Sequence, residues 1–345
     1  MSNAAFENMV SLFAKELRLC KVGSGEKVAV LTEGDQFQDR AQAFSAAAKA
    51  LGADVVTVNF GSGQIADPND KLANIGHSGL GSDTAAMAAL KEADIVIDMM
   101  LLLFSHEQLA LQAAGTRILM VVEPMETLER LLPSEELRRR VEAGGRRLKG
   151  ATLLRFTNAA GSDVTYDLNP DALLTAYGYT DTPGRWDHWP AGFVATCAQK
   201  NGVNGQVVLD RGDIIYPLLT QLEEPIHFTV KAGHVTAIDG GAESASLRAY
   251  MENYEDPRAY AISHIGWGLN DLCQWSTELP GIGQDGRAYY GNVLFSTGPD
   301  TEFGGDNDTP CHLDMPMRNC SLYLDDELIV DAGSIVPDDM RVEGR

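Results

Sequence analysis

The chain has 345 residues, of which 44% are hydrophobic and 22% are charged, and its formal net charge is −22. A single hydrophobic core stops growing at about 250 to 300 residues, so this length predicts two domains, and the ordinary composition argues against wholesale disorder. Nucleic-acid-binding surfaces are basic, so the strong negative charge disfavours DNA or RNA as a partner.

The apolar runs of the chain are short. The most apolar stretch, residues 95–104, has ten residues and contains Asp98, which is typical of a buried strand and not of a membrane helix. The first thirty residues show no signal segment, so we expect a cytoplasmic protein. The five cysteines are scattered without a C-x-x-C pair, which argues against a disulfide framework or a zinc ribbon.

Strand-like and helix-like segments alternate in the first part of the chain. The predicted strands are residues 26–34, 54–60, 95–102 and 116–124, and the predicted helices are residues 38–53, 82–94 and 106–115. This alternation predicts a mostly parallel sheet covered by helices on both faces. The first strand is followed by one glycine where a dinucleotide fingerprint needs three, and no phosphate-binding loop motif occurs, which argues against NAD and ATP.

The residue pattern changes after a connecting helical region at residues 125–145. Alternating segments with glycine-centred turns predict antiparallel hairpins at residues 151–169, 205–217, 226–241 and 321–336, and one helix is predicted at residues 244–256. We therefore predict an α/β domain over residues 1–150, followed by an α+β domain rich in antiparallel hairpins over residues 151–341.

The second predicted domain contains a candidate metal site. His312 and Asp314 lie two positions apart in a segment stiffened by prolines, and in an extended segment such residues face the same side. His264 ends an apolar run and is followed by two glycines, which permit close backbone approach or a tight turn. Two histidines and one carboxylate are the ligand set of non-haem Fe(II) sites with open positions. A zinc hydrolase with the same ligands, or a core histidine beside a turn aspartate, is the alternative.

An aromatic, Pro/Gly-rich segment lies at residues 177–193 and is predicted to be a loop. Its aromatic rings and titratable side-chain groups favour a pocket for a planar aromatic ligand. The alternative is a structural loop whose aromatic rings only fill space between the domains. The residues on which the pocket interpretation depends are Tyr177, Arg185, Trp186, Asp187 and His188.

His106 follows the predicted strand that ends near Phe104. The carboxyl ends of parallel strands are where α/β proteins bind ligands, so His106 is a second candidate for acid–base chemistry. The alternative is that His106 is simply the first residue of a helix capped by Ser105.

Four motifs, "GRWDHWPAGF", "AISHIGWGL", "GNVLFSTGPDTE" and "TPCHLDMPMRNCSLYLDD", closely resemble the 2,5-dihydroxypyridine 5,6-dioxygenases of nicotinic-acid degradation. These are Fe(II) enzymes that are distantly related in fold to thermophilic-type leucyl aminopeptidases. The resemblance covers most of the chain. It implies that His264, His312 and Asp314 hold the iron, and that His188 binds substrate or transfers protons.

The chain departs from the family pattern at two positions. The resemblance places a histidine thought to act as base where this chain has Phe104, and a glutamate where it has Ala176. His106 would then be a substitute base. The two-metal aminopeptidases have a glutamate in place of His264 and a histidine in place of Asn292, so the residues present favour one iron.

We therefore expect an extradiol-like, Fe(II)-dependent dioxygenase that uses O2 to cleave 2,5-dihydroxypyridine to N-formylmaleamate. A differently substituted hydroxypyridine or hydroxylated aromatic is the alternative substrate, and a metallo-aminopeptidase-like hydrolase is the alternative class. A homo-oligomer is expected. The expected acid–base residues are His188 and His106, and the expected substrate contacts are Phe104, Tyr177, Arg185, Trp186, Asp187 and Ser296.

Overall fold

A computed structural model describes residues 2–61, 68–73, 75–76 and 78–342. These residues form two compact units. The first comprises Met1–Lys71, Ile75–Pro133 and Tyr177–Ala191, and the second comprises the other described residues. The units differ from the boundary predicted at residue 150, because the chain leaves the first unit after Pro133 and returns to it for one short segment.

The helices and strands of the described residues are numbered in chain order. The helices are α1 (Asn3–Leu19), α2 (Gln38–Ala50), α3 (Pro68–Leu72), α4 (Thr84–Lys91), α5 (His106–Ala113), α6 (Met125–Arg130), α7 (Glu135–Gly150), α8 (Ala242–Glu252) and α9 (Gln284–Ala288). The strands are β1 (Lys27–Glu33), β2 (Asp54–Phe60), β3 (Ile95–Asp98), β4 (Arg117–Met120), β5 (Leu153–Asn158), β6 (Asp163–Leu168), β7 (Leu174–Ala176), β8 (Trp186–His188), β9 (Phe193–Leu209), β10 (Ile214–Ile215), β11 (Thr220–Gln221), β12 (Ile226–Lys231), β13 (His234–Gly240), β14 (Ile262–Gly268), β15 (Val293–Thr297), β16 (Leu313–Met317), β17 (Cys320–Leu324), β18 (Glu327–Asp331) and β19 (Ser334–Ile335). None of the helices in the described ranges is long and apolar enough to cross a membrane.

The first unit is built on a parallel sheet of strand order β2-β1-β3-β4-β8. The central strands β3 and β4 are buried at every position, as expected for apolar runs covered on both faces. The α/β prediction is confirmed. The loop predicted at residues 177–193 is wrong for Trp186–His188, which forms the parallel edge strand β8 beside β4. A strand of three residues is too short to show a strand period.

The second unit is built on a large, mainly antiparallel sheet that runs β16-β15-β14-β9-β6-β5-β17-β18-β19. Strand β7 and the β12–β13 hairpin pair with the long strand β9. The hairpins predicted at residues 151–169, 226–241 and 321–336 are confirmed by the antiparallel pairs β5–β6, β12–β13 and β17–β18. The hairpin predicted at residues 205–217 is wrong, because the end of β9 pairs with β12 and β10 pairs with β11. The edge formed by β14, β15 and β16 brings distant parts of the sequence together.

Candidate active site

His264 lies in an irregularity of strand β14. The register of β14 against β15 shifts between Ile262 and Ile265, so His264 sits in a β-bulge. Bulges redirect side chains and are frequent beside active sites. The hydroxyl of Ser296, on β15, donates a hydrogen bond of 2.6 Å to the backbone carbonyl of His264 and so satisfies a group that the bulge leaves out of the ladder.

The two glycines after His264 allow β14 to lie unusually close to its neighbours. A Cβ atom at Gly266 would be 1.8 Å from the carbonyl oxygen of Val194, and one at Gly268 would be 2.2 Å from the carbonyl oxygen of Tyr289. Close backbone approach was one of the two uses predicted for them. The absence of side chains here fixes the position of the strand that carries His264.

His312 and Asp314 approach His264 from the beginning of β16. The Nε2 atoms of His264 and His312 lie 3.1 and 3.3 Å from Oδ1 of Asp314. His312 and Asp314 thus face the same side, as the alternation of an extended segment predicts. Asp314 is fixed further by two backbone hydrogen bonds with Tyr216, of 2.8 and 3.1 Å. All three side chains are buried, and together they form a set that could hold a metal ion.

The donor atoms of this triad have the arrangement of metal ligands. Oδ1 of Asp314 and Nδ1 of His264 are buried, and neither has a hydrogen-bond partner of regular geometry among the described residues. Two ligand atoms placed at right angles and about 2.1 Å from one ion are about 3.0 Å apart, close to the observed spacings. Two imidazole nitrogens and one carboxylate oxygen therefore fit a single divalent ion.

Asp314 is ionised in this environment. Burial raises the pKa of its carboxyl, but the neighbouring His312, Arg287 and His264 outweigh burial and hold the pKa well below its usual range. Oδ2 of Asp314 accepts a 2.6 Å hydrogen bond from Nε of Arg287. The carboxylate thus has one oxygen directed at the histidines and one bound by an arginine.

Asn292 is occupied by backbone contacts. Its amide oxygen accepts from the N–H of Gly268 at 2.7 Å, and its amide nitrogen donates to the carbonyls of Gly286 and Arg287 at 2.7 and 3.1 Å. The side chain is fully buried. Asn292 therefore supports the backbone around the triad and does not offer a second-metal ligand.

His188 lies at the end of β8 in the first unit, almost fully buried. Its Nδ1 is 2.6 Å from the carbonyl oxygen of Pro190. A carbonyl only accepts, so Nδ1 carries a hydrogen and the neutral ring has its basic lone pair on Nε2. This side chain has the tautomer that a proton acceptor needs.

Asp187 organises the aromatic segment around His188. Its Oδ1 accepts from the backbone N–H groups of Gly178 and His188 at 3.1 and 2.8 Å. Its Oδ2 accepts from the N–H of Tyr177 at 3.1 Å and from Arg185 at 2.7 Å. The carboxylate is fully buried, and four donors surround it, so within the described residues its contacts are those of a positioning group.

The other predicted residues of this segment pack on one another. The Arg185 guanidinium lies 3.9 Å from the ring centroid of Tyr177, and Tyr177 meets Tyr179 edge to face at 4.8 Å. The rings of Trp186 and His188 are 5.2 Å apart. Tyr177 and Trp186 are buried, so most of each side chain packs against other protein atoms.

Phe104 and His106 lie in and after the loop that follows β3. Phe104 is buried and has a φ of +61°, a left-handed conformation that is unusual for a bulky residue. The loop is held by Asp98, which accepts hydrogen bonds from two backbone N–H groups further along it. His106 is exposed and begins α5, for which Ser105 is the N-cap. Ala176 is buried on β7 in the second unit.

Sequence reasoning missed two groups that the geometry brings forward. Arg287 lies in a glycine-rich stretch whose pattern is typical of a turn, and nothing in the sequence predicts its contact with Asp314. The carbonyl of Pro190 is a backbone atom and carries no sequence signal at all. Only the adjacency of His188 and a proline turn points toward it.

The comparisons with known proteins point to one family. The sequence model of the 2,5-dihydroxypyridine 5,6-dioxygenase family matches residues 8–337. The 2,5-dihydroxypyridine 5,6-dioxygenase of Pseudomonas putida KT2440 is 44% identical over 349 residues, covering 99% of each chain. The solved structure of the 2,5-dihydroxypyridine dioxygenase from that organism superposes with a TM-score of 0.94 at 44% identity, covering 99% of this chain and 100% of the other.

A more distant structure has the same fold. Wild-type AmpT from Thermus thermophilus superposes with a TM-score of 0.60 at 14% identity, covering 96% of this chain and 99% of the other.

The family model and the curated Pseudomonas putida relative confirm the family resemblance drawn from the four motifs. This chain belongs to the 2,5-dihydroxypyridine 5,6-dioxygenase family.

Proposed function

We propose that the protein is an Fe(II)-dependent dioxygenase that opens the ring of 2,5-dihydroxypyridine with O2 and forms N-formylmaleamate. One observation carries the proposal: two imidazole nitrogens lie 3.1 and 3.3 Å from one carboxylate oxygen, and all three side chains are buried in the second unit. Family membership supports the reaction, and the facial set of two histidines and one carboxylate supports iron over other divalent ions.

The three ligands are proposed to be His264, His312 and Asp314. When bound, a ferrous ion supplies the redox chemistry by which dioxygen reacts with an electron-rich aromatic ring. The protein's own contribution is orientation. The bulge on β14 and the extended start of β16 hold the donor atoms on one side, which leaves the opposite side for substrate and oxygen.

His188 is proposed to handle the proton of a ring hydroxyl. The Pro190 carbonyl holds the hydrogen on Nδ1, so Nε2 accepts a proton when the hydroxyl ionises and returns it at a later step. Asp187 and Arg185 position the backbone and aromatic rings of this segment, as their mutual 2.7 Å contact indicates.

The remaining substrate contacts are proposed from sequence and placement. Phe104, Tyr177 and Trp186 would supply apolar or aromatic surface for a flat ring. The Ser296 hydroxyl hydrogen is used by the carbonyl of His264, so toward substrate or oxygen it would act only as an acceptor. His106 is exposed, and we rank it below His188 as an acid–base residue.

The test is oxygen uptake by protein loaded anaerobically with Fe(II), on a panel of hydroxypyridines and hydroxylated benzoates. We expect 2,5-dihydroxypyridine to be the best substrate, and 18O2 to place both labelled atoms in the product. A different best substrate would instead assign the specificity to departures such as Phe104 and Ala176. Peptide hydrolysis by the Zn(II)-loaded protein, with no oxygen uptake on any member of the panel, would overturn the dioxygenase proposal.

A further inference from the structure

The two oxygens of Asp314 have different surroundings. Oδ1 lies 3.1 and 3.3 Å from the two histidine nitrogens, whereas Oδ2 accepts the 2.6 Å hydrogen bond from Nε of Arg287. We propose that Arg287 is a positioning residue: by holding Oδ2, it restricts Asp314 to one metal-facing oxygen and keeps a coordination position open. This inference rests on the proposed metal-dependent function and adds a residue that acts through Asp314.

Arg287 is itself held in place. Its side chain is 7% exposed, and a second guanidinium nitrogen donates to the carbonyl of Ile282. The guanidinium lies over the ring of Tyr216, 4.5 Å from its centroid. The backbone carbonyl of Arg287 accepts from Asn292. A planar, multiply bonded guanidinium has little freedom to release Oδ2.

The short helix that carries Arg287 is shaped for this contact. A Cβ atom at Gly283 would lie 2.2 Å from the Tyr216 ring, and one at Gly286 would lie 2.4 Å from the Tyr216 hydroxyl oxygen. Only glycine at these positions lets α9 rest against that ring. Tyr216 also pairs through its backbone with Asp314, so arginine, tyrosine and ligand form one connected unit.

The denticity of the carboxylate matters for the reaction. A carboxylate binds a metal ion through one oxygen or through both. A six-coordinate ion held by three single-atom ligands has three positions left for oxygen and a chelating substrate. Were Asp314 to bind through both oxygens, one of those positions would be lost. Arg287 prevents this because its planar guanidinium bonds Oδ2 through Nε while a second nitrogen bonds the Ile282 carbonyl and the Tyr216 ring lies against its face, an arrangement that a single ammonium group cannot reproduce.

The experiment counts water molecules on the bound metal. Mn(II) is the probe, and water-proton relaxation of the Mn(II) protein reports how many exchangeable waters the ion carries. The variants are Arg287→Met, which keeps much of the side-chain volume and removes the donors, and Arg287→Lys, which keeps the charge but lacks the planar fork. We expect three waters on the unaltered protein and two on each variant.

Several outcomes are decisive. Three waters on a folded Arg287→Met variant would overturn the inference, because a residue with a merely structural role would leave the count unchanged. If Arg287→Met does not fold, Arg287→Lys decides alone, and three waters there would overturn the inference as well. With Fe(II), we expect each folded variant to lose at least tenfold in kcat for oxygen uptake.

Failure of the inference is separable from failure of the proposed function. If Mn(II) binds the His312→Ala variant as tightly as it binds the unaltered protein, the triad is not the metal site and the proposed function fails. If binding requires His312 and the water count does not depend on Arg287, the proposed function stands and only the role of Arg287 is refuted.

Discussion

The imidazole of His188 and the backbone carbonyl of Pro190 form a 2.6 Å hydrogen bond that fixes which ring nitrogen is basic. Asp187, the residue before it in sequence, accepts the backbone N–H of His188. The ring's tautomer is therefore set by a neutral backbone group. Nε2 is therefore the ring nitrogen that can accept a proton and release it again.

Replacing His188 tests its role in proton transfer. We expect His188→Asn to lower kcat by about 10² to 10⁴, the usual contribution of a general acid or base, while iron content is unchanged because His188 is not a ligand. Asparagine retains a donor for the Pro190 carbonyl but has no titratable nitrogen. Oxygen-electrode kinetics and iron analysis of the same sample give both quantities.

His106→Asn is the matched control for that experiment. His106 is exposed at the start of α5, so we expect kcat within about twofold of the unaltered protein, since surface substitutions are mostly neutral. A large loss in His106→Asn together with a normal His188→Asn would reverse the assignment and identify His106 as the acid–base residue.

Gly266 tests the close packing of the strand that carries His264. In Gly266→Ala the added methyl would lie 1.8 Å from the Val194 carbonyl oxygen, so β14 or β9 must shift. We expect the free energy of unfolding to fall by about 3 kcal/mol or more, at the upper end of overpacking costs, and metal affinity to fall with it. Thermal unfolding midpoints and Mn(II) titration measure the two effects.

Gly150→Ala provides the comparison within the same unit. Gly150 ends α7 and has no heavy atom within 4 Å of an added Cβ, so alanine there should be neutral or slightly stabilising. An equal midpoint for the two variants would show that β14 tolerates the methyl and that the spacing around His264 is not fixed by Gly266.

The sequence revealed the three candidate ligands because their signal is local. An H-x-D pair in an extended segment and a histidine followed by two glycines are visible without a fold. The alternating elements of the first unit were equally visible, because each has a clear apolar period. The limits of that reading appear at Trp186–His188, whose strand character comes from pairing with β4 and not from its own three residues.

The contacts of Arg287 and His188 could not be predicted for a different reason. Arg287 meets Asp314 across 27 positions of sequence, and its neighbours are the glycines and turn residues typical of a loop. The helix α1 was also not predicted, although Ser2 caps it and five of its side chains are buried. Such relationships depend on tertiary contacts, which override local preference.

Asp213 predicts a pH dependence of stability in the second unit. Burial raises the pKa of its carboxyl to about 7, although backbone N–H groups of Arg318 and Asp210 stabilise the charged form. The pKa in the unfolded chain is about 3.9. Both states are protonated below pH 4, and between about pH 4 and 7 only the folded state retains the proton. The unfolding free energy attributable to Asp213 therefore falls as pH rises through this window, by at most about 4 kcal/mol.

Asp213→Asn removes that titration. We expect the variant to lose stability less steeply than the unaltered protein between pH 5 and pH 8, as measured by thermal midpoints at several pH values. The constant offset caused by exchanging one acceptor oxygen for an amide nitrogen does not affect this slope. Parallel curves for the two proteins would mean that Asp213 is ionised throughout the range.

The most direct test of the central claim is the number of iron ions bound per chain after anaerobic Fe(II) loading, combined with oxygen uptake on 2,5-dihydroxypyridine. For the unaltered protein we predict one iron per chain and rapid uptake. For His264→Ala, His312→Ala and Asp314→Ala, each with an unchanged circular dichroism spectrum, we predict no retained iron and no uptake, because each removes one of three protein ligands. Normal uptake by any one of these variants, or two metal ions per unaltered chain, would contradict the account.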